Sequence, residues 1–182
     1  MKITELQLSG AFVIEPKVFG DDRGFFLETF NKKRFEDHGL PSSFVQDNLS
    51  FSQKGVLRGL HFQNPDPQGK LVWVLQGEVF DVAVDLRRDS PSFGRWFGLV
   101  LSSENKKQFY VPPGFAHGFV VTSETALFCY KCTALYAPSH EKSLLWNDPD
   151  LGIDWPQFLS VQLSQKDLAG KRLRDFASDE LF

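Results

Sequence analysis

The stretch "GVLRGLHFQ", residues 55 to 63, sets an arginine and an imidazole inside what otherwise reads as a β-strand. An imidazole titrates near neutral pH and can take or give a proton, and a guanidinium fork grips carboxylate or phosphate. Alternate strand residues point to opposite faces, so Arg58 and His61 would not share a site on a regular strand. Gly59, between them, marks a bulge that could re-aim both toward one side. In "GEVFDVAVDL" the face carrying Phe80, Val82, Val84 and Leu86 is uniformly apolar, which leaves Asp81 and Asp85 on the other with Val79 and Ala83. A carboxylate in such a strand needs a partner if it is buried. The two cysteines, Cys129 and Cys132, form C-x-x-C within the β-rich run "ALFCYKCTALY". Redox dithiols sit at strand-to-helix turns instead, so the pair reads as two reduced, half-buried thiols.

The elements that must position these groups are mostly strands. Runs such as "AFVIEPKVF", "GFFLETF", "KLVWVLQ", "RWFGLVLS" and "HGFVVTS" are rich in Val, Phe and Trp and are broken by Gly, Pro, Asn and Ser, which predicts an all-β sandwich or barrel. Two helical stretches stand out: "NKKRFEDHG", opened by Asn31 and closed by Gly39, and "LSQKDLAGK", with Ser164 as its N-cap. In "SFVQDNLSFS" the polar row Gln46, Asn48 and Ser50 lies opposite Val45, Leu49 and Phe51, and on this segment alone the polar row reads as solvent-facing. The charged tail after Gly170 is expected to fray. At 182 residues, 42% of them hydrophobic and 19 of them Phe, residues 1–182 make one domain with ample material for a core. A net charge of −3, with no basic block longer than "NKKR", excludes the electrostatic footprint of a nucleic-acid or membrane-surface binder. The first residues lack the basic and then apolar pattern of a signal peptide, so a cytoplasmic location is expected.

Together, "GVLRGLHFQ" and "PPGFAHGF", residues 112 to 119, resemble the two signature motifs of the cupin superfamily, small double-stranded β-helix (jelly-roll) barrels. Pro112 or Pro113, Gly114 and His117 match the second motif, P-x-G-x-x-H. Metal-binding cupins carry H-x-H and then a Glu followed by six residues and a Gly. Here His61 holds the first position, Gln63 the second, and Lys70 the place of the glutamate, six residues before Gly77. An ammonium donates protons without accepting any and repels a cation, so no metal is expected at this position.

Longer strings sharpen the match. "DDRGFFLETF", "VQDNLSFSQKGVLRGLHFQ", "PQGKLVWVLQGEVFDVAVDLR", "FYVPPGFAHGF", "YKCTALYAPSHE", "WNDPDLGIDWP" and "LSQKD" together resemble the dTDP-4-dehydrorhamnose 3,5-epimerase family over almost the whole chain. The resemblance implies a cofactor-independent, metal-free homodimer in the cytoplasm that inverts carbons 3 and 5 of dTDP-4-dehydro-6-deoxy-D-glucose. It implies His61 as the base, Asp167 as its orienting carboxylate, Tyr130 as the opposing acid and Lys70, beside Asp81, as the cation that stabilises an enolate. Taken without the resemblance, Asp167 reads as part of the Ser164 cap and Tyr130 as a core aromatic beside Phe128. The family pattern further maps the pyrophosphate onto Arg58 and Arg23, and nucleotide or sugar contacts onto Glu28, Gln46, Asn48, Tyr136 and Glu141. Phe26 and Tyr136 suit stacking on thymine, Arg23, Phe26 and Glu28 would come from the neighbouring subunit, and His117 would be structural or touch the substrate. Trp73 stands where many relatives have Arg. Single-carbon epimerisation, or a sugar-binding cupin without catalysis, are the alternative functions.

Overall fold

The computed structural model describes residues 1–157 and 160–182. In chain order the strands are β1 (Lys2–Glu5), β2 (Phe12–Glu15), β3 (Val18–Asp21), β4 (Gly24–Leu27), β5 (Gln46–Gln53), β6 (Leu57–Gln63) and β7 (Lys70–Gln76). They continue as β8 (Glu78–Asp85), β9 (Trp96–Ser102), β10 (Gln108–Val111), β11 (Phe115–Val121), β12 (Thr125–Cys132) and β13 (Glu141–Ser143). The helices α1 (Lys32–Asp37) and α2 (Gln165–Leu168) are short. Among the described residues the strands form a six-stranded sheet, β1-β2-β10-β7-β12-β5, a five-stranded sheet, β13-β6-β11-β8-β9, and the separate hairpin β3-β4. The strand pairs are antiparallel, as the cupin-type expectation requires.

Side chains from both large sheets meet in one core, with Val72, Val74, Phe109, Ala126 and Phe128 from the first and Val79, Ala83, Leu101, Phe119 and Val121 from the second. The other face of β8, Val82 and Val84, packs with Leu60, Phe62 and Leu86 against Leu144, Leu151 and the C-terminal residues. On the far side of the six-stranded sheet, Ile14, Leu71 and Tyr110 are covered by Phe35 of α1 and by Leu40. Asn31 caps α1 by accepting the Arg34 amide at 3.2 Å, and Ser164 caps α2 by accepting the Asp167 amide at 3.2 Å.

Three expectations change. "AFVIEPKVF" is not one strand: it breaks after Glu15, since Pro16 has no amide to donate, and β3 departs to pair with β4. β1 and β13 escape a reading tuned to longer apolar runs, because each is short and mostly polar. The tail after Gly170 does not fray. Phe176 and Leu181 are buried, and the Phe182 carbonyl accepts the Arg88 amide at 2.6 Å. Leu173 and Phe182 pack on the same cluster, and these four apolar side chains among the tail's charges are enough to dock it. No described helix is long and apolar enough to cross a membrane.

Candidate active site

A cavity of about 410 Å³ opens inside the barrel. Its walls include Gln46, Asn48 and Ser50 from β5, Arg58 and His61 from β6, Lys70 from β7, His117 from β11 and Tyr130 from β12. The polar row of β5 thus faces inward, against the solvent-facing expectation, and its apolar row is the exposed one, with Leu49 61% and Phe51 58% accessible. Strand alternation separates the two rows but does not say which faces the barrel. The cavity decides it, because a polar interior needs hydrogen-bonding groups.

The β6 bulge brings Arg58 and His61 together as expected. His117 of β11 lies opposite His61 and Phe119 opposite Arg58, so two residues of β6, Gly59 and Leu60, stand against the single Gly118 of β11. Gly59 has φ of +126°, and a Cβ there would come within 2.6 Å of the Gly118 Cα. Only a glycine pair permits that approach.

His61 Nε2 lies 2.5 Å from Asp167 Oδ1. Burial works against charge on Asp167, but hydrogen bonds from His61 and Ser164 outweigh it and hold the carboxyl below its usual range. A carboxylate only accepts, so Nε2 carries a proton and Nδ1 is the imidazole's free, basic nitrogen. Asp167 joins both neighbours at once: its amide donates to Ser164 Oγ, while its carboxylate accepts from His61 and, at 2.7 Å, from the Ser164 hydroxyl.

Lys70 enters the cavity directly across β12 from Cys132. Burial pushes its pKa down, while the nearby Cys132, Glu141 and Asp81 oppose that shift. Asp81 is not its hydrogen-bonded partner. The Asp81 carboxylate instead meets His117 Nε2 at 2.9 and 3.0 Å, at the buried wall of the cavity. The register of β8 and β11 explains the pairing, with Asp81 opposite Phe119 and His117 opposite Ala83, one step away on the same inner face. Cys129 and Cys132 are both free, and only Cys132 lines the cavity, as a separation of three along a regular strand requires.

The metal ligand set of a cupin does not fit these residues. Gln63 spends its amide on the loop backbone, donating to Asp66 O at 2.9 Å and accepting the Ala137 amide at 2.9 Å. Lys70 brings an ammonium to the glutamate's place, and among the described residues no three His, Cys, Asp or Glu side chains converge as ligands.

Tyr130 lines the cavity with its ring 6.1 Å from that of Phe128, so it is both a core aromatic and a wall residue. Burial raises its pKa, which keeps the phenol protonated. At the rim, Glu141 accepts from Tyr136 OH at 2.7 Å and pairs with Lys166 at 2.7 Å, with Oε1 4.0 Å from His61 Nδ1. Burial opposes charge on Glu141 too, and the hydrogen bonds from Lys166 and Tyr136 overcome it and lower its pKa. Gln46 Oε1 accepts the Tyr136 amide at 2.8 Å. Lys166 and Gln68 line the cavity without having been singled out in the sequence, and Cys132, read there only as a structural thiol, lines it as well. Lys166 had a usable signal, as the neighbour of Asp167 on a capped helix. Arg23, Phe26 and Glu28 stand outside this cavity, on or beside the β3-β4 hairpin, where Arg23 pairs with Asp21 and Phe26 is exposed. Trp73, of opposite parity to Lys70, packs on the outer face of β7 with its indole nitrogen buried and unpartnered among the described residues.

Fold and site together define a cupin-type barrel whose cavity holds a hydrogen-bonded histidine–aspartate pair, a lysine and a tyrosine. The family model for dTDP-4-dehydrorhamnose 3,5-epimerase matches residues 5–175. A dTDP-4-dehydrorhamnose 3,5-epimerase of Pseudomonas aeruginosa is 58% identical over 176 residues, 96% of this chain and 97% of that one. The crystal structure of a dTDP-6-deoxy-D-glucose-3,5-epimerase from Legionella pneumophila, in complex with dTDP-4-keto-L-rhamnose, superposes with a TM-score of 0.96 at 56% identity, covering 99% of this chain and 96% of that one. A more distant 3'-monoepimerase from Streptomyces bikiniensis, in complex with dTDP-quinovose, gives 0.88 at 34% identity, covering 93% and 87%. The chain belongs to the dTDP-4-dehydrorhamnose 3,5-epimerase family.

Proposed function

We propose that this chain is an isomerase that inverts carbons 3 and 5 of dTDP-4-dehydro-6-deoxy-D-glucose through an enolate, without metal or cofactor. The observation that carries the reading is the His61–Asp167 hydrogen bond inside a cavity that also holds Lys70 and Tyr130. Both carbons flank the carbon-4 ketone, so removing either proton places negative charge on the ketone oxygen. His61 Nδ1 takes the proton, and Asp167 stabilises the imidazolium that results. Lys70 supplies a preorganised cation for the enolate oxygen in a site where burial strengthens the interaction. Tyr130 returns a proton to the opposite face, its raised pKa keeping it loaded at neutral pH.

Arg58 receives the pyrophosphate. Gln46, Asn48, Tyr136 and Glu141 meet the nucleotide and sugar, and His117, fixed by Asp81, backs the cavity. The enzyme acts in the cytoplasm as a homodimer in which Arg23, Phe26 and Glu28 of one subunit reach the other's cavity. Their exposure on a hairpin outside their own cavity supports this arrangement.

The test is incubation with dTDP-4-dehydro-6-deoxy-D-glucose in deuterated water, followed by NMR. Deuterium and inversion at carbons 3 and 5 are expected. Label at one carbon alone would make the chain a monoepimerase, and label at neither would make it a binding protein.

A further inference from the structure

Arg58 donates its Nε hydrogen to Ser52 Oγ at 3.0 Å. That is its single side-chain hydrogen bond among the described residues, and no carboxylate there pairs with it. The four N–H groups on its two terminal nitrogens are therefore left for something else. Ser52 is 4% exposed and stands behind the guanidinium, outside the cavity lining. Two residues earlier on the same face of β5, Ser50 does line the cavity, and its hydroxyl is shut off from solvent with no hydrogen-bond partner among the described residues. A buried hydroxyl without a partner is costly unless a ligand completes it. Arg58 is also close enough to Tyr130 to draw that phenol's pKa downward against burial. Arg58 thus brings its unused donors to the cavity, and the unpaired Ser50 hydroxyl lies in the wall of the same cavity.

We propose that Ser52 is a positioning residue that fixes the Arg58 guanidinium by its Nε, and that Ser50 is a further ligand-binding residue donating to the same phosphate groups. A guanidinium held at Nε presents its remaining edge, one N–H from each terminal nitrogen, as a planar fork. A phosphate has oxygens to spare for a neighbouring hydroxyl. The proposal rests on the reading that Arg58 meets the pyrophosphate.

The experiment measures dTDP binding by calorimetry for wild type, Ser50→Ala, Ser52→Ala, Arg58→Ala and the two doubles with Arg58→Ala, with thymidine titrated by NMR as the phosphate-free control. Ser52→Ala should weaken dTDP binding about tenfold and cost nothing further once Arg58 is gone, because it acts only through Arg58. The loss from Ser50→Ala should persist in the Arg58→Ala background, and thymidine binding should be unmoved in all variants. A Ser52→Ala loss that persists without Arg58, or a parallel loss for thymidine, would overturn the positioning assignment. A Ser50→Ala variant with wild-type affinity would remove Ser50 from the site. If Arg58→Ala itself bound dTDP as well as wild type, the pyrophosphate assignment would fall and this proposal with it.

Discussion

At the residue scale, Asp167 shows how one side chain serves two elements. Its amide closes the first turn of α2 while its carboxylate reaches His61. The cap is visible in the spacing from Ser164, but the bond to His61 spans 106 residues and exists only in the folded barrel. His61 and Lys70 were legible as motif positions, whereas which imidazole nitrogen is basic was not, because that depends on where Asp167 lies. Lys70 carries the sharpest conflict between function and stability. Burial lowers its pKa, so the unfolded chain binds that proton more tightly than the folded one, and this group's contribution to stability rises with pH up to its ordinary value near 10.4. At neutral pH the ammonium is a cost. Lys70→Met should therefore unfold at the same temperature as wild type or higher, while turnover falls by roughly 10²–10³ as expected for a lost oxyanion donor. A drop of several degrees in calorimetry would show that the ammonium stabilises the fold and would contradict this account.

At the element scale the bulge of β6 matters most, because it turns two residues of opposite parity toward one cavity. Gly59→Ala would force a Cβ to within 2.6 Å of the Gly118 Cα and 2.8 Å of the His117 carbonyl, at φ of +126°. The expected cost is roughly 2–4 kcal/mol in urea unfolding, with activity lost as Arg58 and His61 separate. An unchanged urea midpoint would mean the strands can part without penalty. The glycine between two misaligned functional residues made this bulge readable in advance. The orientation of β5 was not readable, since both its rows alternate equally well. What decides it is the polar content of a cavity assembled from β6, β7 and β12. The C-terminal segment was misjudged for a related reason: its charges are local, while the apolar surface on which Phe176 and Leu181 dock comes from strands far earlier in the chain.

At the scale of the whole molecule, β5 is the edge of the six-stranded sheet and presents Leu49 and Phe51 to solvent. An exposed apolar edge strand invites pairing with a second copy. If the proposed homodimer uses this edge, Phe51→Glu should shift the protein from twice the chain mass to the monomer in sedimentation. Activity should fall with it, since the partner's hairpin no longer reaches the cavity. A wild-type protein that sediments as a fully active monomer would rule the arrangement out. The barrel class and most strand positions could be read from alternation and turn residues. The short strands β1 and β13 are polar pieces that exist because β2 and β6 offer them an edge to pair with, and sequence periodicity carries no trace of that.

The division of labour between His61 and Tyr130 is the central claim, and proton exchange tests it most directly. With Tyr130→Phe in deuterated water, His61 should still remove the substrate's proton, and the imidazolium, having traded that proton for solvent deuterium, should return deuterium to the same face. NMR should then show label entering the substrate while inversion falls by about 10²–10⁴, the loss typical of a missing general acid. His61→Asn should show neither label nor inversion. Normal inversion by Tyr130→Phe, or label entering at the wild-type rate with His61→Asn, would contradict the assignment of acid and base.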